Sequence, residues 1–130
     1  MNRVIHFEIQ ADEPERAIKF YSEIFSWKIT KWDQPGQDYW LIKTGDKKTP
    51  GIDGGLIQRM IPVTNDDVIT YLCTIAVENI DTMMMKIEDE GGKVVDSKRE
   101  IPKIGWNAIC KDTEGNYFSI LEPSDEMMNM

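Results

Sequence analysis

From Val4 to Asp12 the chain alternates apolar and polar positions without a break. Ile5, Phe7, Ile9 and Ala11 fall on one side, and His6, Glu8 and Gln10 on the other. A period of two marks a strand whose two faces meet different surroundings. The pattern then changes period. Asp12 has the chemistry of an N-cap, Pro14 suits a first helical turn, and Glu15 stands three residues after the cap. Ala17, Phe20, Tyr21, Ile24 and Phe25 recur at three-four spacing, predicting an amphipathic helix over 13–25. Strands are predicted at 27–32, 39–44 and 56–60, with a Pro35-Gly36 turn and a glycine-rich loop over 45–55 between them.

The polar stretch 61–68 is expected to be a linker, after which the order restarts. Residues 70–77 alternate: Tyr71, Cys73, Ile75 and Val77 fall against Thr70, Leu72, Thr74 and Ala76. Asn79 caps a helix carrying Ile80, Met83, Met84 and Ile87, and Gly91-Gly92 stops it. Strands opening at Lys93 and spanning 106–111 and 117–122 complete the set, with a turn over 112–116 between the last two. The order is β-α-β-β-β twice, which predicts two units that share a core. The expected organisation is a first module at 1–60, a linker at 61–68, a second module at 69–123 and a loosely held tail at 124–130.

Composition narrows the function classes. The 130 residues carry a formal charge of −8, and 41% of them are apolar. The acidic excess argues against a nucleic-acid partner, which needs basic patches. No apolar run approaches the roughly 20 residues of a membrane helix, so no membrane partner is expected. The strand pattern begins at Val4, so no leader is expected, and the expected location is the cytoplasm. Cys73 and Cys110 sit in strand patterns without CxxC spacing and read as two buried thiols. The glycine-rich stretch 45–55 lacks the Lys-Ser/Thr ending of a phosphate loop.

Several stretches together resemble one family. His6-Phe7-Glu8-Ile9, the turn Asp12 to Ala17, Phe20-Tyr21, Phe25-Ser26-Trp27 and Gly54-Gly55 resemble the first module of the vicinal oxygen chelate superfamily. This is the superfamily of glyoxalases, bleomycin-resistance proteins and extradiol dioxygenases. Val77 to Asp81, Gly91 to Val95, Ile101-Pro102 and Asp112 to Asn116 resemble the second module. The resemblance implies an α+β fold. Paired βαβββ modules form a cupped, barrel-like mixed sheet around a cavity, commonly within a homodimer. It also implies four metal positions on the first and last strands of the modules. Here these are His6, Gln58, Leu72 and Ser119. Leu72 donates nothing, Gln58 and Ser119 are weak donors, and Glu122 lies on the opposite parity from Ser119. A catalytic metal is therefore not expected, and no cofactor is.

The expected function is binding of a small organic molecule in the inter-module cavity. His6 and Glu8 are the candidate catalytic groups. Trp40, Gln58, Thr74, Trp106, Tyr117 and Ser119 are the candidate ligand contacts, Trp40 sharing its candidacy with Tyr39. The alternatives are a metal-dependent lyase or isomerase of the lactoylglutathione-lyase kind, and an interaction module with a filled cavity.

Overall fold

A computed structural model describes residues 1–33, 36, 38–59 and 70–128. The expected linker at 61–68, Pro35 of the expected turn and the last residue of the 56–60 strand fall outside them. The chain divides into two compact units, residues 6–71 and residues 1–5 with 72–130.

The first unit holds β1 (Val4–Ala11, from His6 onward), α1 (Pro14–Phe25), β2 (Lys28–Lys31), β3 (Tyr39–Lys43) and β4 (Gly54–Gln58). Its strand order is β2-β3-β4-β1. β1 and β4 run parallel, while β2/β3 and β3/β4 are antiparallel. Phe7, Ile9, Ala11, Trp40, Ile42 and Leu56 form the core, and Ala17, Ile18 and Tyr21 of α1 pack on it. The alternation of β1 holds in burial from Phe7 to Ala11, while Ile5, expected on the same apolar face, is exposed.

Helix α1 differs from expectation at its start and on its faces. Glu13, not Asp12, occupies the N-cap, without a side-chain cap hydrogen bond. Arg59 explains the change. Its backbone N–H donates to Ala11 O, which brings its guanidinium to Asp12, and Nε donates to the carboxylate at 2.8 Å. Phe20, Ile24 and Phe25 are exposed by 56, 59 and 54%, so the inward stripe is Ala17, Ile18 and Tyr21. Ser26 closes the helix in the left-handed conformation.

Gly54-Gly55, expected in a loop, belong to β4. Two rings explain the choice of glycine. A Cβ on Gly54 would run into the Phe7 ring and carbonyl, and one on Gly55 would overlap the Tyr39 phenol. The strand is bare backbone where the rings cross it.

The second unit repeats the plan with β5 (Leu72–Ala76), α2 (Ile80–Asp89), β6 (Lys93–Ile101), β7 (Gly105–Lys111) and β8 (Tyr117–Pro123), in the order β5-β8-β7-β6. Residues 1–5 join it through Asn2 N to Ala76 O and Ala76 N to Arg3 O, at 2.7 and 3.1 Å. Val77, Ile80, Ala108, Cys110 and Ile120 form its core, with Ile75, Met83, Met84 and Ile87 packed around them. Asn79 caps α2 as expected, accepting from Thr82 N–H, and Gly91 follows the helix at φ 95°. Of the expected tail, residues 129 and 130 lie outside the described residues. Ser124 starts a short helix, α3 (Asp125–Met128), by accepting from Met127 N–H. Cys110 is buried, but Cys73 is exposed. It stands on the parity of Ile75 and Val77, and the helix that covers those two leaves it open.

Candidate functional site

The polar face of β1 gathers the site. His6 and Glu8 stand two residues apart on it, with side chains 27 and 21% exposed. β4 lies beside β1 with Gly55 opposite Glu8, and β3 lies beyond with Leu41 opposite Gly55 and Tyr39 opposite Ile57. Because Gly55 has no side chain, the Tyr39 phenol crosses β4 to reach β1. Its oxygen lies 3.1 Å from His6 Nε2, and it donates to Glu8 Oε2 at 3.3 Å. His6 Nε2 and Glu8 Oε2 are 3.7 Å apart. Burial, reinforced by the Glu8 charge and its hydrogen bond, holds the phenol protonated well above the usual tyrosine range. The result is a partly exposed imidazole tied to a neutral phenol and a carboxylate.

The other candidates are placed as follows. Trp40 is in the core of the first unit, on the opposite parity from Tyr39. Tyr39 is the member of the pair that meets His6. The clue lay in register: a glycine opposite Glu8 leaves a gap, and only the Tyr39 parity of β3 can fill it. Gln58 lies opposite Ala11, on the core side of β1 at the strand end, where its amide donates to Asp12 O at 2.9 Å. It is not brought to His6.

In the second unit Thr74 and Ser119 face each other across the parallel β5/β8 pair. Both are buried, and their hydroxyls meet at 2.6 Å. Tyr117 shares the parity of Ser119 and lies under Lys111, whose Nζ is 4.7 Å from the ring centroid. Trp106 is on the other face, packed with Ala108 and Cys110 toward α2, with Lys98 Nζ 4.8 Å over its ring. It also edges an open cleft with Glu100, Lys103 and Ser124. Trp106 is thus not grouped with Thr74 and Ser119. Glu122 keeps the parity expected of it. Its Oε1 accepts from Ile80 N–H at 2.9 Å, a second acceptor at the α2 N-terminus that sequence reading had not assigned.

The chain belongs to the Glyoxalase/Bleomycin resistance protein/Dioxygenase superfamily, whose family model matches residues 3–120. Among curated relatives, "Putative glyoxylase CFP32" of Mycobacterium bovis and of Mycobacterium tuberculosis are each 28% identical over 120 residues, covering 92% of this chain and 43% of the relative. The chain thus spans less than half the length of these relatives. Among solved structures, methylmalonyl-CoA epimerase from Mycobacterium tuberculosis matches with a TM-score of 0.64 at 15% identity, covering 98% of this chain and 91% of that one. A variant of the Streptomyces coelicolor methylmalonyl-CoA epimerase, in complex with 2-nitronate-propionyl-CoA, matches with a TM-score of 0.66 at 15% identity, covering 96% of each chain. At such identities the likeness establishes the fold.

The metal that the superfamily implies can be tested on the donors present. His6 Nε2 is engaged by Tyr39, Gln58 is on the core side of β1, Leu72 has no donor atom and Ser119 is closed on Thr74. Among the described residues no three His, Cys, Asp or Glu side chains come together. A catalytic divalent ion takes about three imidazole, carboxylate or thiolate donors. The described residues do not fit one.

Proposed function

We propose that this protein binds a small organic molecule on the polar face of β1, at His6, Glu8 and Tyr39. The observation that carries this reading is the His6–Tyr39–Glu8 cluster: three polar side chains hydrogen-bonded to one another and still partly open to solvent. Convergent polar groups on a rigid sheet face are what a small-molecule site needs for orientation. Superfamily membership and the similarity to a protein named as a glyoxylase support the same class of ligand. Two free thiols fit a reducing, cytoplasmic setting.

The test is a panel of aromatic alcohols, amides and amines together with the methylglyoxal–glutathione hemithioacetal. Binding is followed by the NMR signals of the one imidazole and by calorimetry. At least one probe class shifts the His6 signals to saturation, and His6→Ala weakens its binding about tenfold, the loss of one hydrogen bond to a ligand. The reading fails if no probe perturbs His6, or if His6→Ala and Glu8→Ala both leave binding unchanged.

The second reading is a lyase or isomerase, favoured by the fixed neighbours of His6, since a positioned imidazole is the commonest general base. Turnover of the hemithioacetal, lost in His6→Ala, distinguishes catalysis from binding alone.

A further inference from the structure

The phenol of Tyr39 carries one proton and faces two groups, the Glu8 carboxylate and His6 Nε2. Glu8 is a carboxylate and only accepts. If Tyr39 gave its proton to His6 Nε2, the phenol oxygen would turn its lone pairs on Glu8 Oε2 at 3.3 Å, and the imidazole lone pair would face the same oxygen at 3.7 Å. If Nε2 carries the imidazole proton, every contact is complementary. Nε2–H donates to the phenol oxygen at 3.1 Å, and the phenol donates to Glu8. A neutral imidazole protonated at Nε2 has its lone pair at Nδ1. The relay also depends on a missing side chain, because any Cβ at position 55 overlaps the phenol.

We propose that Tyr39, seated in the gap over Gly55, is a positioning residue that locks His6 in the Nε2–H tautomer and presents Nδ1 as the acceptor for a ligand. The ligand class follows. It offers His6 a hydrogen-bond donor, an O–H or N–H, or a carbon acid whose proton Nδ1 takes. A molecule that meets His6 only through a carbonyl or carboxylate oxygen finds no proton there while the ring is neutral. The inference rests on the polar face of β1 being the binding site, and it sharpens what binds there.

Having one histidine makes the test direct. Long-range ¹H–¹⁵N spectra of the uniformly labelled 130-residue chain, at a pH well above the usual imidazole range, report the tautomer of His6 alone. The expected result is a single Nε2–H form, which becomes a mixture of tautomers in Tyr39→Phe and in Glu8→Gln. Tyr39→Phe keeps the ring and removes only the proton relay, so a purely structural role for Tyr39 would leave the tautomer unmoved. An Nδ1–H form in the unaltered protein overturns the inference, as does a single Nε2–H form that persists in Tyr39→Phe. Gly55→Ala adds a second route to the same readout: if it folds, it displaces the phenol and gives the mixture, and an unchanged tautomer with the phenol displaced counts against the lock. These results do not depend on any ligand. Failure of the panel to bind with the tautomer as expected removes the proposed function alone; a bound probe with the wrong tautomer removes this inference alone.

Discussion

Cys73 and Cys110 stand on strands of the same unit and differ in burial. Cys110 is fully buried among Val77, Ile80, Ala108 and Ile120, and burial, with Glu88 nearby, pushes its pKa from 9.0 up to about 11. Cys73 is exposed. Alkylation by iodoacetamide at mildly alkaline pH therefore labels Cys73 and spares Cys110, and peptide mass spectrometry reads the difference. The thiolate is the reacting species, so burial and the raised pKa of Cys110 both protect it. The sign for stability follows from the same shift. Above pH 9.0 an unfolded thiol ionises while the buried one keeps its proton up to about pH 11, so unfolding releases a proton and stability falls across that window. Cys110→Ala removes this contribution to the slope. Equal labelling of both thiols in the native protein would contradict the burial. Sequence pattern alone had put both thiols inside, because it locates a strand face but not the length of the helix that covers it.

Elements were legible where a periodic run met a capping residue. Asn79 before Ile80 is the clearest case, and the structure adds a second acceptor from across the sheet, the Glu122 carboxylate on Ile80 N–H. The parity of Glu122 was readable from β8. Its target was not, because nothing local ties position 122 to position 80. Asn79→Ala is expected to cost about 1 kcal/mol in chemical denaturation, and Glu122→Ala a similar amount. The two serve different donors, Thr82 N–H and Ile80 N–H, in one helical turn, so losing either frays the turn that the other holds and the double variant loses less than the sum of the two. Where sequence misplaced an element, a competing partner was responsible. Arg59 took Asp12 from the start of α1, and the rings of Phe7 and Tyr39 drew Gly54-Gly55 out of a loop and into β4.

At the scale of the whole chain, the superfamily was legible because many short motifs agree over residues 3–120. The site was legible in part. His6 and Glu8 came from one strand's alternation. Tyr39 needed the register of three strands, and Gln58, though in the right element, falls on the core side of β1. The donor set carries a consequence for the intact protein. Zinc, nickel or manganese at micromolar excess should leave the melting temperature within about 1 °C. A catalytic site occupied at 100 times its Kd would add about 2.7 kcal/mol of stability, which is several degrees for a chain of this size. A metal-dependent rise that His6→Ala abolishes would show that the donors assemble after all. No helix among the described residues is long and apolar enough to cross a membrane.

The gap over Gly55 also ties two positions in descent. A phenol at 39 requires a bare backbone at 55, and a side chain at 55 expels the phenol whatever else is kept. Neither position can drift alone without dismantling the group around His6. A lineage that abandons this chemistry is free to change both, and one that retains it must pass the two on together.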